Sequence, residues 1–242
     1  MISLRKKVMR ALIVGNHGDC DPGLVGSTIS DFGFSLVRNE REFPREWKSL
    51  TGIDLVISLG SDWSVYSEQN IKEREAEVNL IHAAIVRGVP VFAICYGAQL
   101  LSHVLGGSVS VGISPEIGWK NVYSSAFAEI FSRDWFQWHY DAFTVPSSLQ
   151  LIASNEFGTQ AMLGNRLLAT QFHPEVTGEI INRWFESAST TELELLGLRP
   201  EEFHTQTVRQ LTTAVAATNR LVTWFIECVA TTKPFQPGSN QR

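Results

Sequence analysis

Cysteine is scarce in this chain. Its 242 residues hold three, Cys20, Cys95 and Cys228, far apart and without a CxxC pair. An odd, scattered set excludes a disulfide framework and offers no zinc-type spacing. A reducing cytoplasm is the expected setting, and no metal is expected. Long apolar runs are missing as well. No stretch reaches the roughly 18–20 apolar residues that a membrane helix needs, so no membrane span is expected. The beginning, MISLRKKVMRALIVG, carries basic residues, but its apolar run is too short for a signal-peptide core and reads as a lead-in to a strand. Excess positive charge is also absent. The net charge of -5 leaves no basic footprint for nucleic acid or for anionic lipid. Repeats, low-complexity tracts and linkers are lacking, which predicts one body rather than several. What remains are small molecules or another protein as targets. The 44% hydrophobic content is ample for a core at this length.

Four short apolar runs read as buried parallel strands: Ala11–Val14, Asp54–Leu59, Val89–Cys95 and Arg166–Phe172. They are dense in Val, Ile, Leu and Ala without strict alternation, the pattern of strands covered on both faces. Helical patterns separate them. Leu24–Phe32 follows the first strand, Ser67–Arg87 the second with Gly88 as its C-cap, and Tyr96–Leu105 the third. Alternating strand and helix implies right-handed crossovers and a parallel sheet. Gly106–Pro115 breaks the pattern. Lys120–Tyr123, Phe143–Val145 and Gln150–Ala153 then read as an antiparallel addition. From Ile180 onward the chain reads as helical, punctuated at Leu195–Leu198 and Pro200, with one long amphipathic helix over Phe203–Val229. The polar end, TTKPFQPGSNQR, is expected to fray.

The chemistry gathers at two strand ends. In VFAICYGAQ, Cys95 stands where a strand turns abruptly into a helix. Such a turn projects a side chain beyond the carboxyl edge of the sheet, where ligands of open α/β folds sit. Gly97 permits close approach, and the helix N-terminus favours a thiolate. Taken alone, Cys95 reads equally well as a buried core residue. ATQFHPEV changes that balance. Here a strand again ends in polar residues, His173-Pro174-Glu175. A thiol nucleophile needs a base, and the base needs a third group that fixes its tautomer. In an extended segment Glu175 points to the same side as His173. The third element is LVISLGSDWSVY, where Gly60, Ser61 and Asp62 follow a strand. A backbone N–H from this loop, with that of Tyr96, suits an oxyanion hole. On its own the loop is an ordinary turn.

Together these elements resemble the class I glutamine amidotransferases of the Cys-His-Glu type, over roughly residues 10–186. The motifs are VFAICYGAQLL, TQFHPEV and LGSDWSVY. PEIGWKNV and WHYDAFTVP match the branch similar to the amidotransferase part of GMP synthase. The resemblance implies a doubly wound, mostly parallel flavodoxin-like α/β sheet with a small antiparallel addition and a helical C-terminal tail. It implies an amidotransferase domain over 1–186 and a helical extension over 187–242 packed on the same domain. It also implies the reaction: Cys95 attacks the side-chain amide of L-glutamine, Tyr96 with Gly60 or Ser61 holds the oxyanion, and His173, oriented by Glu175, delivers a proton to ammonia. A γ-glutamyl thioester is then hydrolysed, and no cofactor is needed. Gln99 matches the residue that helps hold the substrate. Gln137-Trp138-His139 matches the loop whose backbone meets its α-amino and α-carboxylate groups. His139, with Asp141 nearby, otherwise reads as structural.

Two features depart from the family pattern. The loop reads Gly60-Ser61-Asp62 where this branch usually has Gly-Gly-Pro, and a serine serves there only if the position does not need positive φ. The tail from Ser187 is expected to hold helices and no ammonia-using synthase domain. The first expectation for function is therefore a glutaminase subunit that passes ammonia to a separate synthase partner. The second is an independent hydrolase of a γ-glutamyl peptide or amine. The third is a non-catalytic regulatory protein, against which the complete Cys95, His173 and Glu175 set argues. Other flavodoxin-like proteins with an elbow cysteine, such as intracellular cysteine peptidases, share the architecture but not the Gln99 spacing or the His-Pro-Glu signature. The aromatic cluster Trp135, Phe136, Trp138, Tyr140 and Phe143 reads first as core packing and second as a pocket wall.

Overall fold

The computed structural model describes residues 8–188 and 199–232. The expectations for Leu195–Leu198 and for the polar stretch Lys233–Arg242 lie outside the described residues. Strands β1 (Met9–Gly15), β3 (Leu55–Ser58), β4 (Val91–Ile94) and β9 (Leu167–Thr170) fall on the four apolar runs. All but the start of β1 is buried, which is why these runs show no alternation. They pair in parallel, with β2 (Phe34–Glu40) alongside β1 at the edge. No strand was expected at β2, whose FSLVRNE is half-exposed and ends in polar residues. An edge position explains that composition.

β7 (Gln150–Asn155) and β8 (Gly158–Gly164) extend the other edge in antiparallel fashion, giving a seven-stranded sheet in the order β2-β1-β3-β4-β9-β8-β7. The antiparallel addition is thus split. β5 (Val109–Val122) and β6 (Arg133–Phe143) form a separate two-stranded sheet, bulged between Val111 and Glu116. Gly106–Pro115, read from sequence as a break, already contains the first half of β5.

Alternate residues of the parallel strands face opposite helical layers. Ala11, Ile13, Ile57, Phe92 and Ile94 pack with Val25 and Ile29 of α1 (Gly23–Asp31). Ala217, Leu221 and Val222 of the C-terminal helix α6 (Pro200–Trp224) join them, as does Phe225 in the π-helical turn that follows. Leu12, Val56, Val91 and Ala93 face Ile81 and Ala84 of α2 (Ile71–Val86) and Leu100 and Leu101 of α3 (Tyr96–Val104). The sheet is doubly wound in this sense. Two shorter α-helices lie among the described residues, α4 (Ala128–Phe131) and α5 (Gly178–Ser187), the latter capped by the Thr177 hydroxyl accepting from the Ile180 N–H. Among the described residues, no helix is long and apolar enough to cross a membrane.

Candidate active site

Cys95 links β4 to α3 with φ 52° and ψ -109°. A non-glycine residue in this region carries strain of about 1–3 kcal/mol, held only where the surroundings over-determine it. They do so here. The Cys95 N–H donates to the Thr170 carbonyl at 2.8 Å, and its carbonyl accepts from the Gln99 N–H at 3.0 Å. Gly97 lets α3 start hard against β3: a methyl there would lie 2.3 Å from the Ser58 carbonyl oxygen. The close approach that glycine permits is therefore to the neighbouring strand.

β9 leads into His173, whose N–H donates to the Phe136 carbonyl at 2.8 Å. His173 Nδ1 and Glu175 Oε1 lie 2.7 Å apart, both side chains buried. The backbone of the motif is held from outside. The Leu24 N–H donates to the Glu175 carbonyl at 2.8 Å, and the Thr218 hydroxyl of α6 donates to the Pro174 carbonyl at 2.7 Å. Burial lowers the His173 pKa, but the Glu175 charge, the adjacent Cys95 sulfur and hydrogen bonds to both outweigh it and raise the value well above that of free histidine. His173 Nε2, the nitrogen not facing Glu175, is buried and has no polar partner among the described residues other than the Cys95 sulfur.

Gly60 is where the elements meet. A methyl on its Cα would lie 2.7 Å from His173 Cε1 and 3.5 Å from Cys95 Cβ. Neither Gly60 nor Ser61 has positive φ, so the serine sits in this loop without backbone strain. Tyr96 is the first residue of α3, so its N–H has no acceptor within the helix.

The segment expected as a substrate loop, Gln137-Trp138-His139, lies instead inside strand β6, paired with Ile117 and its neighbours in β5. Its alternation turns Gln137 and His139 inward, away from the half-buried Trp138. The Trp138 carbonyl oxygen lies 3.9 Å from Cys95 Sγ. Gln99 is buried one turn into α3, its amide 3.3 Å from Gln171 Oε1 and 3.5 Å from the Asp141 carbonyl. Asp141 itself accepts from Ser64 and Tyr66, tying the loop after Gly60 to β6. A cavity of about 410 Å³ opens on that loop, lined by Asp62, Trp63, Ser64 and Tyr66 among others.

The profile of the family described as glutamine amidotransferase class-I matches residues 30–184. The chain belongs to this family. A curated GMP synthase [glutamine-hydrolyzing] from Streptococcus mutans is 30% identical over 184 residues, which are 70% of this chain and 34% of that protein. The chain therefore spans about a third of the curated relatives it matches. A solved glutamine amidotransferase from Thermotoga maritima superposes with a TM-score of 0.81 at 26% identity, covering 92% of this chain and 100% of that one. A second, from Methylobacillus flagellatus, shares the fold at a TM-score of 0.75 and 18% identity, over 98% of this chain and 99% of that one.

Three features around this candidate site went unread in the sequence. The first is Arg41, just after β2. It is fully buried and paired with Glu77 of α2 at 2.7 Å. The second is Glu116, which faces His139 Nε2 at 2.9 Å and also accepts from Gln160 and Asn155. No local motif marks Arg41, and Glu116 stands inside PEIGWKNV without a role of its own there, because the partners of both residues are distant in sequence. The third is a ring cluster. Trp184 of α5 lies edge-on to His173 at 4.8 Å, and Trp184 and Phe203 of α6 both contact Trp138. Spacing on a helix was the available signal for Trp184. Phe203 lies beyond the family match. The aromatic run of β6 divides accordingly: Trp135, Phe136 and Phe143 are core, Trp138 borders the site, and Tyr140 is exposed.

Proposed function

We propose that the chain hydrolyses the side-chain amide of L-glutamine, with Cys95, His173 and Glu175 as catalytic residues. The observation that carries this reading is a strained elbow cysteine meeting a glutamate-paired histidine at one glycine, Gly60. His173 takes the Cys95 proton, and the sulfur adds to the amide carbon. Negative charge moves to the amide oxygen, where the N–H groups of Tyr96 and of Gly60 or Ser61 receive it. His173, kept protonated by Glu175, gives its proton to the departing nitrogen, and ammonia leaves. A γ-glutamyl thioester remains on Cys95. Water, losing a proton to His173, attacks it and releases glutamate and the thiol. Gln99 and the β6 backbone at 137–139 hold the glutamyl moiety in this reading.

The centre is covered: Cys95 and His173 are each 3% exposed. A partner that widens the approach to the sulfur would raise its access to substrate. This supports a subunit that works with a separate ammonia-accepting synthase and opens on docking. We read 187–242 as a helical extension of the 1–186 amidotransferase unit, and the site of action as the cytoplasm. A second reading rests on the ring cluster. Trp184 against His173, with Trp138 and Phe203 behind it, offers an apolar wall where a leaving amine departs. An independent hydrolase of γ-glutamyl peptides or amines would use that wall.

Glutamate release by the purified chain from L-glutamine and from γ-glutamyl peptides, with Cys95→Ala as control, tests both. Slow Cys95-dependent release from glutamine supports the subunit. Fast release from a peptide alone supports the independent hydrolase. Release unchanged in Cys95→Ala, or none from any substrate, overturns the assignment.

A further inference from the structure

The start of the loop after β3, Leu59 to Ser61, is gripped by a side chain from another part of the chain. Arg41 reaches it from the end of β2 and is 0% exposed. Its Nη2 donates to the Leu59 carbonyl and its Nη1 to the Gly60 carbonyl, each at 2.7 Å. Nη1 also donates to Asn16 Oδ1 at 2.8 Å, while Nε and Nη2 donate to the two Glu77 oxygens. Glu77 accepts in addition from the Ser58 hydroxyl at 2.7 Å. The guanidinium carbon lies 4.8 Å from the centre of the Tyr96 ring.

These contacts have a directional consequence. In a trans peptide the C=O and the following N–H point opposite ways, and the chain has no cis bond among the described residues. Pinning the Leu59 oxygen on Arg41 therefore turns the Gly60 N–H away from the guanidinium. Pinning the Gly60 oxygen does the same for the Ser61 N–H. The Gly60 Cα on this loop faces Cys95 and His173. The same cation packs on Tyr96, whose own N–H opens α3 beside the sulfur.

We propose that Arg41 is a positioning residue for the oxyanion hole, aiming the Gly60 and Ser61 N–H groups at the Cys95 side through its grip on the Leu59 and Gly60 carbonyls. This rests on the amidase reading above. Glu77 balances its buried charge and fixes the plane of the fork. A lysine in place of Arg41 keeps a charge but has no planar fork to span two carbonyls and a carboxylate.

The test compares the full chain with Arg41→Lys and with Arg41→Met/Glu77→Gln, which leaves no buried charge alone. Three quantities are read: kcat and KM for glutamate release, the rate at which iodoacetamide alkylates Cys95 by peptide mass, and the thermal midpoint. Loss of oxyanion donors costs about 10²-fold in kcat. Both variants are expected to show that loss, with KM and the alkylation rate within about threefold of the original chain. Turnover in both variants within about threefold of the original overturns the role. So does a fall in alkylation and thermal midpoint in step with kcat, which marks collapse rather than aim. An original chain that releases no glutamate from any γ-glutamyl amide overturns the amidase reading, and this role with it. Turnover by the original chain matched by Arg41→Lys overturns the role of Arg41 alone.

Discussion

Among the described residues two histidine–glutamate pairs are buried, and they differ in what is left over. His139 meets Glu116 through Nε2 and the Asp141 carbonyl through Nδ1, so both ring nitrogens are engaged. Glu116 in turn accepts from Gln160 and Asn155. His173 meets Glu175 through Nδ1, while its Nε2 has only the Cys95 sulfur as a partner and the second Glu175 oxygen has none among the described residues. A saturated pair fixes two strands. A pair with one open nitrogen beside a thiol can carry a proton. Under the proposed function, a nitrogen whose neighbour is a thiol and not a saturating carboxylate or carbonyl is the one that passes the proton. Residue type does not separate the two pairs, since each is a histidine within reach of a glutamate. The count of filled hydrogen-bond positions does.

Four substitutions sharpen that contrast. His173→Gln removes the open nitrogen and is expected to lower kcat for glutamate release by about 10⁴-fold or more. Equal turnover in His173→Gln and the original chain breaks the comparison outright. Glu175→Gln keeps the shape and removes the charge. Steady-state kinetics should show a kcat loss of about 10²–10⁴-fold, and the pH profile should move. Glu175 is the main force raising the His173 pKa against burial. Without it the imidazolium loses its proton at lower pH, so the alkaline limb of kcat shifts to lower pH. The sign for stability follows from the same shift. A raised histidine pKa stabilises the fold fully below about pH 6.5 and fades as pH rises through the folded value. The stability gap between original and variant should therefore narrow with rising pH in thermal melts.

The saturated pair should behave in the opposite way. Glu116→Ala strands the His139, Gln160 and Asn155 donors and is expected to cost about 1–3 kcal/mol in denaturant unfolding. Its turnover should stay within about tenfold of the original. A catalytic loss as large as that of His173→Gln would reassign His139. The smallest effect is expected from Thr218→Val, which removes the hydroxyl bound to the Pro174 carbonyl. It should cost about 1 kcal/mol in the same unfolding measurement, with turnover within about threefold.

The parallel strands were legible because each is covered on both faces and so reads as an unbroken apolar run. The elbow and His-Pro-Glu were legible because each is a local sequence at a strand end. β2 was not, since an edge strand with polar ends lacks the buried-strand signature. Nor was the strand character of 137–139, because its partners Glu116, Ile117 and Gly118 lie about twenty positions earlier and no turn signal joins the two segments.

The sequence alone determined four central parallel strands with the helices between them, the family motifs and the residues at two strand ends. These follow from local periodicity and from turns that span a few positions. Tertiary structure decided which histidine keeps an open nitrogen, which face of β6 meets the site and where Arg41 goes. Arg41 and Glu77 lie 36 positions apart. An arginine after an edge strand reads as a surface residue until the fold closes over it. Hydrogen-bond saturation is a property of such distant partners, and no single stretch of chain contains it.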